Sequence, residues 1–357
     1  MPSKKATADY RKRNPHQVRM NSEEFKVWKE FKNEKNERES LLKDEAEAAG
    51  IDVKDIKHYW YKSEKFSMFA KSESKTYEEL RDEIIVEMDK YSPKYPKIKR
   101  KPSKDGHLLV LDIADLHINK YAREYNTQEA VKRAILGTEG LLQKSSGFNI
   151  DKILFVIGND VLNTDTISKT TTKGTPQDTD VHWYKAFTIA REVYTKCIEM
   201  CLQVADVDVI HCPSNHDLMS GCFLADSLNS WFRLSKNVNF FIGPDYRKYY
   251  QYHRNMIELE HGDKGKKANL PLVMAQEQPK MWADTKFRYA YLHHVHHSDK
   301  TQFQTSKDYI GCNVTYLRSP SSADEWHSDN QFLNLVAVEA FIHSKELGRV
   351  SHLTHYF

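Results

Sequence analysis

The chain lacks any run of about 18 apolar residues, so no segment reads as a membrane span. Its first 20 residues are basic but have no apolar centre, which sets aside a secretory signal. No two cysteines stand at CxxC spacing, and their total of five is odd. A disulfide framework is therefore not expected, and the usage suits a reducing cytoplasm. Cys197 and Cys201, four apart on an expected helix, read as core thiols. Internal repeats are also absent. The net charge of +3 is small for 357 residues, but it is unevenly placed. Residues 1–104 carry 26 Lys/Arg against 20 Asp/Glu, and the remainder carries 27 against 30. The positive excess therefore sits in the front third.

That front third reads as three pieces. Residues 1–20 form a flexible basic arm. Residues 21–89 read as a small all-α domain, with Phe25, Trp28 and Phe31 recurring at helical spacing. Helices expected over Glu39–Ala49 and Asp52–Lys62, broken at Gly50, have the lengths of a helix-turn-helix. Lys54, Lys57 and Lys62, with Tyr59, Trp60 and Tyr61, would then form a nucleic-acid face, DNA being the expected partner. A helical hairpin that docks a protein partner is the alternative. Thr76 and Glu79 make a capping box for a further helix. Residues 90–105, rich in Lys and Pro and free of acid until Asp105, read as a linker.

From residue 106 onward the texture changes. Apolar runs of strand length occur at Leu108–Ala114, Ile153–Ile157, Val207–Ile210, Met256–Glu260 and Phe287–Leu292. Helical patterns over Thr127–Gln143 and Trp183–Val204 separate the first three, which implies a largely parallel sheet. Asn313–Leu317, Phe332–Phe341 and Val350–His355 read as three further strands of an antiparallel second sheet.

Each of the five apolar runs is followed by polar residues able to do chemistry. These are Asp115-Leu116-His117, Gly158-Asn159-Asp160, Ser214-Asn215-His216-Asp217, His261-Gly262-Asp263 and His293 to His297. The carboxyl ends of parallel strands share one edge, where ligands bind. A lone histidine at a strand end is usually a structural hydrogen-bonding residue. Five such ends in order instead point to one cleft lined by Asp, His and Asn. That donor mixture suits a pair of divalent ions such as Mn²⁺, Fe²⁺, Zn²⁺ or Ni²⁺ rather than an all-oxygen Ca²⁺ site. Two such ions clamp a phosphoryl group and lower the pKa of a shared water.

The order and content of these motifs resemble the calcineurin-like metallophosphoesterase superfamily, whose pattern is DxH, GD, GNH[D/E], H and GHxH. The resemblance covers about Leu108–His297, and through Gly158-Asn159-Asp160, the stretch Thr171–Gln177 and Ala323–His327 the chain resembles bacteriophage and prophage members of the superfamily. It implies a four-layer α/β/β/α sandwich of two mixed sheets and a metal-dependent phosphoester hydrolase. Asp115, His117 and His296 would hold one metal, Asp160 would bridge, and Asn215, His261 and His294 would hold the second. His216 would act as general acid, with Asp217 orienting its imidazole. Within His293–His297 the pairs His293 with His296 and His294 with His297 stand as alternatives, and the family spacing favours His294 with His296. The chain departs from the pattern in three places: Asp160 follows Gly158-Asn159 where the pattern has Gly-Asp, and Ser214 and His293 stand where glycine is usual.

The polar stretch Thr164–Asp180 follows the bridging Asp160 and reads as a lid. Thr172, Lys169 and Lys173 would touch substrate phosphate, and Asn163 and Asp165 would support the metal ligands. Trp326 and His327 read equally as core aromatic with surface neighbour or as a stacking wall. The basic front end favours a nucleic-acid phosphodiester as substrate, hence a nuclease. A phosphomonoesterase or small-nucleotide diesterase is the alternative, and a non-catalytic DNA-binding protein a more distant one.

Overall fold

The computed structural model describes residues 58–62, 67–71, 93–101, 103–294, 306–322 and 335–357, with scattered positions between 29 and 48 and at 82 and 86. The chain divides into two compact units, Met1–Tyr91 and Ser92–Phe357.

In the first unit, residues 40–44 and 46–48 are helical, inside the helix expected over Glu39–Ala49. The helix expected over Asp52–Lys62 is not what forms at its second half. His58–Lys62 is a strand (β1) paired antiparallel with Ser67–Lys71 (β2), with Trp60 opposite Phe69. The consecutive aromatics Tyr59, Trp60 and Tyr61 favour an extended, pleated backbone, and here that preference wins over the helical spacing. Lys62 therefore ends a hairpin strand, not a recognition helix. Lys54 and Lys57 lie outside the described residues.

The second unit is α/β, with two mixed sheets and helices packed against them. The larger sheet is built from β3 (His107–Asp112), β4 (Ile150–Gly158), β5 (Asp206–Cys212), β6 (Val238–Phe241), β12 (Ala337–Ser344) and β13 (Gly348–Tyr356). Its order is β13-β12-β3-β4-β5-β6, and β3 to β6 run parallel. The helices α1 (Thr127–Lys144), α2 (Trp183–Val204) and α3 (Leu218–Phe232) follow β3, β4 and β5 in turn. The smaller sheet contains β7 (Lys248–Tyr252), β8 (Asn255–Glu260), β9 (Phe287–Leu292), β10 (Ser306–Tyr309) and β11 (Cys312–Tyr316), in the order β10-β11-β9-β8-β7. Two short helices, α4 (Leu270–Glu277) and α5 (Pro279–Asp284), lie between β8 and β9.

Side chains alternate across a strand, so each strand serves two cores. Leu109, Leu111, Ile153, Phe155, Val207 and Val209 pack with Ala134, Leu141, Tyr194, Ile198 and Leu228 of the helices. Their neighbours Leu108, Val110, Leu154, Val156 and Ile210 meet Ile257, Leu259 and Tyr291 of the smaller sheet. The opposite face of the smaller sheet, with Met256, Ala290, Leu292 and Val314, is covered by Leu270 and Met274 of α4.

The three C-terminal strands differ from the expected separate antiparallel sheet. β11 pairs parallel with β9, whereas β12 pairs antiparallel with β3 and carries β13 outward. Pairing over hundreds of residues is set by which apolar faces need covering, and local pattern does not record it. The stretch read as a linker also differs, because most of it belongs to the second unit and packs within it. Tyr95 stacks on Phe232 at 5.1 Å between centroids and donates to Glu199, the Ile98 amide donates to Asn237, and Arg100 pairs with Asp206.

Among the described residues no helix is long and apolar enough to cross a membrane.

Candidate metal centre

The site lies where the carboxyl ends of β3, β4 and β5 meet those of β8 and β9. Its loops leave the strands by left-handed turns. Asp115, His117, Asn159, Asp160 and His294 all have positive φ, between 45° and 65°. Asp, Asn and His enter this region more readily than bulky residues, but each non-glycine residue there still carries strain. Cross-loop hydrogen bonds hold the strained turns. The Asp115 amide donates to Asn159 O at 2.7 Å, His117 to Asp160 O at 2.9 Å, and Asn159 to Cys212 O at 3.0 Å. Gly158 precedes them with φ 96°, and a Cβ there would lie 2.1 Å from Cys212 O, so only glycine fits.

Among the described residues, two overlapping groups of side chains can hold a metal ion: His117, Asp160 and His216, and Asp160, His261 and His294. Asp160 is common to both. Around the second group, His261 Nε2 lies 3.1 Å from Asp160 Oδ2, 3.1 Å from His294 Nδ1 and 2.7 Å from Asn215 Oδ1. Ligand atoms about 2.1 Å from one ion stand about 3 Å apart, so this spacing suits a shared cation. Near the first group, Asp115 Oδ1 lies 3.8 Å from His117 Nε2. The His117 and His216 rings meet edge to face at 4.7 Å. His216 thus stands where it can ligate. His296, the remaining expected ligand, lies outside the described residues, as do Trp326 and His327.

The electrostatics follow from burial and mutual charge. Burial alone would raise the Asp160 carboxyl, but the imidazoles of His261, His216 and His117 hold it well below the usual carboxylate range. Burial and the neighbouring His216 push His117 well below the ordinary histidine value, which leaves a neutral imidazole fit to donate a lone pair. His294 is lowered by burial and by His261.

Three residues have roles that their sequence positions did not give. Asp217 does not orient His216. Its Oδ2 accepts the Leu162 amide at 3.0 Å and its Oδ1 accepts the Ser214 hydroxyl, while burial and nearby Asp160 raise its carboxyl to about 7. The His216 ring is held instead by the main chain, with Nδ1 3.0 Å from Asn163 O. A carbonyl only accepts, so Nδ1 carries the hydrogen and Nε2 is left for the cleft.

Ser214, where the resembled motif has glycine, receives the Asp160 amide at 2.8 Å and joins Asp217 to the Asp160 turn. His293, the other replaced glycine, is buried between two carboxylates: Nε2 is 3.0 Å from Asp112 and Nδ1 is 3.3 Å from Asp115. The signal for both was the departure itself, a side chain with hydrogen-bonding capacity where none is usual.

The loop after Asp160 is tied down. Asp165 accepts the Met219 and Ser220 amides at the start of α3, together with the Ser220 and Thr172 hydroxyls. It therefore caps α3 from a distant loop. Thr172 is engaged by Asp165, and its amide donates to Asn215 O. Lys169 and Lys173 are exposed.

No family model and no curated protein matches this chain.

Proposed function

We propose that the chain is a two-metal phosphoester hydrolase of the calcineurin-like type, its larger unit a four-layer α/β/β/α sandwich, acting on a nucleic-acid phosphodiester. The observation that carries this reading is Asp160, one carboxylate belonging to both metal-ligating groups. A bridging carboxylate is what a pair of closely spaced ions requires. Asp115, His117 and Asp160 would hold one ion, and Asp160, Asn215, His261 and His294 the other. Mn²⁺ is the first choice for this mixed oxygen and imidazole set, with Fe²⁺, Zn²⁺ and Ni²⁺ chemically admissible. Bound there, such ions supply a nucleophile from water at neutral pH and neutralise charge on the phosphate oxygens.

The protein's own groups do the rest. His216, fixed through Nδ1 by Asn163 O, offers Nε2 to protonate the leaving oxygen. Its amide donates to Asp160 Oδ1 at 2.9 Å, which ties the acid to the metal-bridging carboxylate. Lys169 and Lys173 extend from the loop beside it and attract phosphate. The positive excess in residues 1–104 favours a polyanionic substrate, DNA first.

The test is cleavage of labelled single- and double-stranded DNA and RNA with added Mn²⁺, beside a small monoester and a small diester. The Asp160→Asn protein serves as blank. Polymer cleavage lost in the blank is the expected result. Hydrolysis of small esters alone would overturn the nucleic-acid assignment, and a metal-loaded protein that hydrolyses nothing would overturn the hydrolase.

A further inference from the structure

The hydroxyl of Tyr246 makes three hydrogen bonds to the turn that follows His261. Tyr246 stands between β6 and β7, so it reaches this turn from outside the strand that leads into it. Its oxygen accepts the Gly262 amide at 2.9 Å and the Asp263 amide at 3.1 Å, and it donates to Asp263 Oδ1 at 2.6 Å. One donated and two accepted bonds use everything a phenol offers. Burial and the Asp263 carboxylate raise its pKa well above the ordinary tyrosine value, so the proton stays in place at neutral pH.

The peptide joining His261 to Gly262 is thereby fixed at both ends. Its carbonyl accepts the His293 amide at 3.1 Å, and its N–H donates to Tyr246. Gly262 has φ of 91°, and a Cβ there would stand 3.0 Å from His293 O, so the turn runs close against the end of β9. Fixing that peptide plane fixes ψ of His261, and with it the root of the imidazole.

The ring itself has little other support. Histidines that ligate a metal usually donate their second nitrogen to a carboxylate, carbonyl or water, which sets the ring orientation. His261 turns Nε2 towards Asp160, Asn215 and His294, but its Nδ1 is buried with no hydrogen-bond partner among the described residues. The aim of this expected ligand therefore rests on its backbone.

We propose that Tyr246 is a positioning residue of the metal centre, its hydroxyl aiming His261 through the backbone of Gly262 and Asp263. The proposal rests on the two-metal reading above and adds the group that sets the affinity of the His261 side.

The test is titration of chelator-treated, full-length protein with Mn²⁺, the free ion being read by electron paramagnetic resonance. Tyr246→Phe keeps the ring, with the Lys264 ammonium 4.1 Å from its centre, and removes only the hydroxyl. The wild type is expected to bind two ions. In Tyr246→Phe one of them should bind about 10- to 100-fold more weakly, with the other little changed. Tyr249→Phe is the control. It deletes a hydroxyl that donates to Glu277 at 2.7 Å, and it should bind both ions as the wild type does. In metal-free protein the Gly262 and Asp263 amides should exchange faster in Tyr246→Phe, which reads the clamp without any ion.

An equal loss of affinity in Tyr249→Phe would mark general destabilisation and overturn the proposal, and so would unchanged exchange at both amides. A wild type that takes up no Mn²⁺ overturns the two-metal reading together with the proposal. Wild-type uptake that Tyr246→Phe matches overturns the proposal alone.

Discussion

His293 Nδ1 lies 3.3 Å from Asp115 Oδ2, and the other nitrogen of the same ring lies 3.0 Å from Asp112. A buried imidazole between two buried carboxylates fixes the expected metal ligand Asp115 from behind, through a residue that the resembling family replaces with glycine. Replacing His293 by glycine should leave Asp112 as a buried, unpaired charge. Loss of one partner of such a pair costs about 3–5 kcal/mol, readable as a lower urea midpoint. An unchanged midpoint would mean that the pair contributes nothing.

The same imidazole predicts a pH dependence for chelator-treated protein. Burial would lower its pKa, but Asp112 and Asp115 raise it from 6.5 to about 10. A raised folded-state value means that the stabilisation is full below about 6.5 and is lost as pH rises through about 10. Urea titrations across that window should show stability falling, by up to about 1.4 kcal/mol per pH unit from this group. In His293→Gln the slope should flatten.

Asp160→Asn keeps a residue that tolerates the φ of 64° and removes the charge shared by both metal groups. Metal content measured by plasma mass spectrometry should fall towards zero, and hydrolysis with it. Retention of two ions would dismiss the bridging role.

His216→Ala should lower turnover by about 10²- to 10⁴-fold on substrates with a poor leaving group while metal stays bound. Loss of one ion would instead make His216 a ligand, as its place beside His117 and Asp160 permits. Asp217→Asn separates the two neighbours. Because Asp217 holds the Leu162 amide and Ser214, and not the His216 ring, it should affect stability more than the acid limb of the pH–rate profile.

Truncation should be sensitive to where it is made. Removing residues 1–91 leaves Tyr95, Ile98 and Arg100 in their contacts with the second unit, whereas removing residues 1–104 strips Tyr95 from Phe232 and Arg100 from Asp206. The longer deletion should melt roughly 5 °C or more below the shorter one by calorimetry. Equal melting temperatures would show that these contacts add no stability.

Asp165→Ala removes the acceptor for the first amides of α3. Helix caps contribute about 0.5–2 kcal/mol, and the loss should appear as faster amide exchange at Met219 and Ser220.

Sequence alone determined the local content of this protein. Continuous apolar runs of strand length specified β3, β4, β5, β8 and β9, and helical periodicity specified α1 and α2 nearly to their ends. The Asp, His and Asn residues after those strands were legible as one cleft because parallel strands present their carboxyl ends together. Helix α3 and the short strands β6 and β7 went unread, since their weak local patterns resemble loop. Only the tertiary structure decided the partners: that β12 and β13 close the larger sheet, and that Tyr59–Tyr61 lie in a hairpin. It also placed Asp217 on Leu162, Asp165 on α3, and His293 between Asp112 and Asp115. Each of these side-chain contacts joins residues more than 50 positions apart in the chain. Periodicity reports which face of an element is apolar, whereas the choice of hydrogen-bond partner depends on which loops the packed sheets bring together.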